Sequence, residues 1–399
     1  MATDSMGPQG SRRGLVIALA AGVAAACLAL SLAYISLWRG DHDGLNHAVG
    51  RDFINMWTAS QLVEADRTVD IFDQEKFLAA QRQHMGTEFP FHFWSYPPHA
   101  LVLSEQLSNL PYRWAFILWT LCGLGLMFYA AGKYWSGKFA PWLLLLAPSS
   151  FVNIFLGQNG FFTSALALSG FALLPRRPVL AGVMFGLLTF KPHLGLMIPV
   201  ALLAMRGWRC MVAATLTTAL FVGVSVWMYG AEAWWQFLQS TLPHQMRFMA
   251  EGDGPFQWMM PSWFMAGRIV GLPLWLAQLI QALAAVAAVV VVYRVFRGEA
   301  EWHLKVSLLF VATLVASPQG FNYDMGLVSA ALICLAGLAF GTGWRRGELA
   351  VAACCWILPL AVMPLNAAGI PIGPLLLAGL LACLYRRWQI SLEPGRHAS

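Results

Sequence analysis

Charge is scarce in this sequence. Asp, Glu, Lys and Arg make up 11% of the 399 residues and hydrophobic residues 58%, whereas soluble chains are about a quarter charged. A soluble core cannot absorb that much apolar surface, so the chain reads as an all-α polytopic membrane protein. Other absences narrow the chemistry. No Walker A loop and no Gly-x-Gly-x-x-Gly fingerprint is present, so a soluble nucleotide-dependent mechanism has no seat. The seven cysteines lie in or beside apolar runs without a Cys-x-x-Cys pair, which supports neither a disulfide framework nor a zinc site. No carboxylate cluster demands a metal, no organic cofactor is implied, and no repeat of fixed period appears.

What is present is patterned. Sixteen of the 25 Lys and Arg fall in short clusters at alternate ends of the apolar runs: Arg12-Arg13, Lys133 with Lys138, Arg176-Arg177, Arg206 with Arg209, Arg294 with Arg297 and Lys305, Arg345-Arg346, Arg386-Arg387 and Arg396. That alternation is a topology signal, so the net charge of +6 does not point to nucleic acid. The run from Gly14 to about Trp38 is too long for a signal peptide and is expected to stay as a first helix, with the N-terminus in the cytoplasm. The apolar runs predict about 12 (10–13) transmembrane helices in one domain over 1–399. Residues 1–13 and 386–399 are expected as cytoplasmic tails and 230–263 as a second outer loop.

The acid is concentrated. Ten of the 19 carboxylates lie in a long first loop, residues 39–110, which the charge pattern places outside the cytoplasm. Phe53, Met56, Trp57, Ser60 and Val63 recur at helical spacing, predicting an amphipathic helix at the membrane surface. Asp52 stands just before it, either as an N-cap or as a general base at the membrane–water boundary. Arg51 beside it is a candidate for an anionic group, whereas Asp41 and Asp43 are expected to be solvated. A second helix is predicted over about Gln74–His84. An aromatic run then follows (Phe89, Phe91, Phe93, Trp94, Tyr96), and Pro97-Pro98 ends it in an extended turn.

Deeper in the chain, two apolar runs of about twelve residues flank Phe190-Lys191-Pro192-His193, and neither alone spans a bilayer. A lysine at mid-membrane costs about 2.5–3.5 kcal/mol on insertion scales and is seldom left facing lipid. Lys191 and His193 are therefore expected to line a polar cavity as an anion site, with a snorkelling lysine as the plainer alternative. Gln158-Asn159 and Tyr323-Asp324 are polar turns at the outer ends of spans. The Trp- and Met-rich stretch 227–265 is either an interfacial belt or a cradle for a lipid chain or sugar ring.

Together, Arg51-Asp52-Phe53-Ile54-Asn55-Met56-Trp57, Tyr96-Pro97-Pro98, Gly157-Gln158-Asn159-Gly160, Leu180-Ala181-Gly182 and Lys191-Pro192-His193-Leu194-Gly195 resemble glycosyltransferase family 87 of the GT-C superfamily. The resemblance covers about residues 45–325. It implies a GT-C-like bundle whose outer first loop carries amphipathic helices and the catalytic acid. It also implies inverting transfer of a hexose, typically mannose, on the outer face of the cytoplasmic (inner) membrane. The donor would be a polyprenyl-phosphate sugar and the acceptor a membrane lipid or a glycan. Asp52 matches the family's first-loop acid and Lys191 with His193 its Lys-Pro motif. The expected substrate-binding residues are Trp57, Tyr96, Gln158, Asn159, Tyr323 and Asp324, with Arg51 beside the phosphate. One departure stands out: after Ser317-Pro318, where many members carry paired histidines, this chain has Asn322-Tyr323-Asp324. The rival reading is a transporter or flippase of a lipid-linked or anionic solute, with Lys191 in broken helices as its site.

Overall fold

A computed structural model of the chain describes residues 8–45, 47–90, 92–135, 137–252 and 254–393, without the side chains of residues 8–13. Phe91, Asp253, Arg396 and the side chains of Arg12 and Arg13 lie outside the described residues, as do the outer parts of both expected tails. Regular structure among the described residues is helical, apart from the isolated bridges Arg39–His42 and His42–Ala48.

Six helices are long and apolar enough to cross a membrane: Gly14–Ser36, Tyr112–Tyr134, Trp208–Glu251, Leu274–Arg297, Asn322–Thr342 and Glu348–Ala367. Shorter apolar helices, Gly160–Leu173, Pro178–Phe190, Pro192–Ala204 and Trp302–Ala316, pack among them. About twelve spans were expected, and several of those segments prove short or broken. Residues 139–156 form two helices, Ala140–Leu145 and Pro148–Leu156, because Pro148 pushes Ala147 into an extended conformation (ψ 147°). Proline acts likewise at Pro192, where Lys191 leaves the helical region (φ −131°, ψ 72°) between two 3₁₀ turns.

The stretch 230–263, expected as a loop, is largely helical. Helix Trp208–Gln236 runs on through a π turn into Leu242–Glu251. The 44 residues of this span would measure about 66 Å if straight, roughly twice the hydrocarbon thickness. The helix bends at Gly230 (φ 79°, ψ 157°), a conformation open to glycine. A fall in hydropathy ends a membrane crossing but does not end a helix.

The first loop is a packed helical lobe. Helix Phe53–Glu64 buries Phe53, Ile54, Met56, Thr58, Ala59, Ser60 and Leu62, so most of its surface is inside. This corrects the expected surface-lying amphipathic helix. The lobe shares one apolar core with Tyr112, Phe116 and Trp119 of the second span, and with Phe190, Phe221 and Tyr229. Helix Gln74–Met85 forms as expected, capped by Asp73, which accepts from the backbone N–H groups of Glu75 and Lys76.

Two glycine turns join lobe and bundle. Gly50 (φ 70°) and Gly157 (φ 62°) meet so closely that a Cβ on Gly157 would lie 2.5 Å from the Gly50 carbonyl oxygen, and the Asp52 N–H donates to Leu156 O at 3.1 Å. The Gly157 turn is fixed in turn by Asn153. Its Nδ2 donates to Tyr323 O (2.7 Å) and Ser149 O (2.9 Å), and its Oδ1 accepts from Gly160 N (2.9 Å). A Cβ on Gly160 would collide with Asn153 Oδ1 and the Tyr323 carbonyl. At the opposite end of the chain Arg387 grips Glu348 bidentately (2.8 and 2.6 Å), both buried, and also donates to Thr342 Oγ1 and Gly343 O.

Gly160→Ala is expected to destabilise the protein by about 1–3 kcal/mol through overpacking. A thermal melt in detergent that matches wild type would show that the turn yields freely. Glu348→Ala leaves a buried guanidinium unpaired and should cost about 3–5 kcal/mol, whereas Glu348→Ala with Arg387→Met should recover most of that loss. Equal melts for the single and double variants would count against the pair as the cause.

Candidate active site

Asp52 occupies the N-cap position of its helix, yet its side chain makes no capping bond. The touching glycine turns aim the carboxylate along the lobe–bundle seam, where Oδ2 accepts from Gln158 Nε2 at 2.9 Å and Oδ1 lies 3.1 Å from His92 Nδ1. The Gln158 amide has one consistent orientation. Tyr96 OH donates to Gln158 Oε1 (3.0 Å), so Nε2 faces Asp52. Burial, with the negative charges of Asp324 and Asp52 nearby, holds the Tyr96 phenol well above its ordinary range, which keeps it a donor.

A second polar group lies at the break in the short helices. Lys191 Nζ donates to Asp324 Oδ1 (2.6 Å) and Asn159 Oδ1 (3.0 Å) and sits 4.5 Å from the Tyr323 ring centroid. His193 Nε2 lies 3.4 Å from Asp324 Oδ2, which also accepts from Phe321 N (3.2 Å). The Lys191 side chain is 3% exposed and that of Asp324 0%, whereas 17% of His193 is exposed. The lysine is thus paired and enclosed, not snorkelling. Gln158 and Asn159 are consecutive, so a single turn touches both groups, and the Asn159 side chain also interacts with the Tyr96 hydroxyl.

Of the sequence candidates, the structure brings together Asp52, Tyr96, Gln158, Asn159, Lys191, His193, Tyr323 and Asp324. Two candidates are placed elsewhere. Arg51 (φ 36°) turns its guanidinium to Asp43 (3.3 Å) and over the Phe155 ring (4.6 Å). Trp57 donates to Leu110 O and packs on His84 and Tyr112 inside the lobe. Asp43, expected to be solvated, is fully buried and accepts from the N–H groups of Leu45 and His47. Asp41, also expected in solvent, is about one-third exposed and lies 3.2 Å from His84 Nε2 and 3.7 Å from Arg113 Nε. Asp43 is enclosed by the turn whose N–H groups it accepts from, whereas Asp41 stays partly exposed and is met by His84 and Arg113 from other helices.

His92 was not among the sequence candidates, because it sits inside the aromatic run and was read with it. A titratable residue among five aromatics was the available signal. Its neighbour His47 is pulled below the ordinary imidazole range by burial first and by the Arg51 charge second. After Pro97-Pro98, His99 is pushed down to about 4 by burial; it stacks on Trp234 and serves as neutral packing.

The arrangement offers a carboxylate with an imidazole beside it and, one turn away, an enclosed cation–carboxylate pair with a partly exposed histidine. That is what a transfer reaction needs at an acceptor hydroxyl and at a leaving anion. A search of curated proteins and a search of solved structures return no match. A family model for glycosyltransferase family 87 matches residues 94–318, more than half of the chain; Tyr96, Gln158, Asn159, Lys191 and His193 fall within the match. The chain belongs to glycosyltransferase family 87, a multi-pass membrane protein with glycosyltransferase activity.

Proposed function

We propose that this glycosyltransferase moves a hexose, mannose in the first instance, from a polyprenyl-phosphate donor to a hydroxyl of a lipid or glycan acceptor. We place the reaction in a GT-C-like bundle at the outer face of the cytoplasmic membrane. The observation that carries this reading is the release of Asp52 from helix capping into a polar seam between the lobe and the membrane helices. There Asp52 acts as the base on the acceptor hydroxyl. The deprotonated oxygen attacks C1 of the sugar on the face opposite the phosphate, the C1–O bond to phosphate breaks, and a β-linked donor gives an α-linked product.

The leaving phosphate is received at the Lys191–His193–Asp324 group. Because Lys191 is already committed to Asp324, its part is to hold the group rigid, and the partly exposed His193 reaches the phosphate. The absence of a nucleotide-binding loop and the depth of this group among apolar helices favour a donor supplied from the bilayer.

The test uses purified protein in lipid, radiolabelled polyprenyl-phosphate-mannose and a total lipid extract of the source cell. Asp52→Asn should lower transfer by about 10²–10⁴-fold at an unchanged melting temperature, the usual span of general-base catalysis. Turnover close to wild type would remove Asp52 from the chemistry. His193→Ala should raise the donor KM about tenfold, the loss of one charge-assisted hydrogen bond. An unchanged KM would move the phosphate elsewhere.

A further inference from the structure

Both oxygens of Asp52 already face a nitrogen, Gln158 Nε2 at 2.9 Å and His92 Nδ1 at 3.1 Å. An ionised carboxylate at that distance from a ring nitrogen requires a proton on the nitrogen, since two lone pairs would repel. In a neutral His92 that leaves the basic lone pair on Nε2. Nε2 has no hydrogen-bond partner among the described residues, and 17% of the side chain is exposed.

The ring is also braced. Phe89 stacks on one face (5.4 Å between centroids, 24°), and His47 meets it edge-on at 6.4 Å. Gln81, itself fully buried, donates from Nε2 to His92 O (2.7 Å) and to Asn55 Oδ1 (2.9 Å), while its Oε1 accepts from His92 N (3.4 Å). Asn55 belongs to the helix that Asp52 heads. Imidazole and carboxylate are therefore held in register through Gln81 as well as through their own contact. Bracing of this kind is what a preorganised catalytic group needs. The charged and titratable groups around the ring are Asp52 and His47, with Arg51 beyond them and turned to Asp43.

We infer that His92 Nε2 is the atom that takes the acceptor's proton, with Asp52 fixing the tautomer and stabilising the imidazolium that forms. The inference rests on the glycosyl-transfer reading and revises one step of it: the proton passes to His92 Nε2 and not to Asp52 itself, which stays essential as the carboxylate of an Asp–His dyad. In the step, the acceptor O–H bond breaks and its proton passes to Nε2. The oxygen's electron pair forms the bond to C1, and the C1–O bond to phosphate breaks with its electrons leaving on the phosphate oxygen. The proton is then returned to water from Nε2. A free imidazole is a stronger base than a free carboxylate by roughly two to three pKa units, which suits it to an alcohol proton near neutral pH.

The experiment compares wild type, His92→Ala, His92→Asn and Asp52→Asn as full-length proteins in lipid, with radiolabelled polyprenyl-phosphate-mannose and a total lipid extract. Asn places an N–H near the position of Nδ1–H and can orient Asp52, but it cannot take a proton. Both His92 variants are expected to lose about a hundredfold or more in kcat with little change in donor KM. Added imidazole should restore His92→Ala in part and leave Asp52→Asn inactive. Transfer by His92→Asn within threefold of wild type would reduce His92 to a positioning residue and overturn the inference. So would a loss in His92→Ala that imidazole leaves untouched. No transfer by the unsubstituted protein would instead overturn the glycosyl-transfer reading itself, and this inference with it.

Discussion

A lysine among apolar helices must find a countercharge, and the joint between lobe and bundle follows from where Lys191 finds one. The partner is Asp324, 2.6 Å away and equally enclosed, 133 residues further along the chain. Removing either member would strand a buried charge at a cost of about 3–5 kcal/mol. The pair therefore pins the broken segment around Pro192 to the head of helix Gly326–Thr342. Once Asp324 is pinned, its neighbour Tyr323 is positioned, and the Tyr323 carbonyl receives Asn153 from the helix before the Gly157 turn. That turn is the surface on which the lobe's Gly50 turn rests. The electrostatic demand of one lysine thus reaches the carboxylate of Asp52 through a chain of short contacts.

The lobe depends on the same seam for a different reason. Its own helices are short, and Phe53–Glu64 buries most of its surface, so the lobe needs the apolar rings of the second span and of the long bent helix to complete a core. The close approach of Gly50 and Gly157 lets the two backbones touch, and the positive φ of Arg51 follows from that tight turn. A left-handed conformation in a non-glycine residue costs of order 1–2 kcal/mol. The Arg51–Asp43 ion pair and the Arg51–Phe155 contact offset it locally. Arg51 is thereby consumed by the turn that presents Asp52.

The helical class, and Asp52, Lys191 and Asp324 as polar residues of interest, are legible in the sequence, whereas the seam that brings them together is not. Composition and spacing carry that much. Side-chain direction was not legible, because it is set by contacts between distant turns. Spacing puts Asp52 at a helix head, where capping and catalysis predict the same residue, and the Gly157 turn 105 positions away turns the carboxylate from the cap toward Gln158. Trp57 and Arg51 illustrate the converse. They are near neighbours of Asp52 in sequence, yet helical geometry and a left-handed turn send them to other faces. His92 went unread because its chemistry lies with a carboxylate 40 residues earlier, while its sequence neighbours are aromatic. The long bent helix is not legible in hydropathy, because a drop in hydropathy marks the end of a membrane crossing and not the end of a helix.

The adjacency of Gln158 and Asn159 has a mechanistic consequence. Gln158 holds Asp52, and Asn159 holds Lys191. Both groups are therefore tied to one short segment of backbone, which holds their separation nearly constant. A transfer that needs attack and departure on opposite faces of one carbon gains from such a fixed separation, because misalignment on the scale of an ångström is costly in rate.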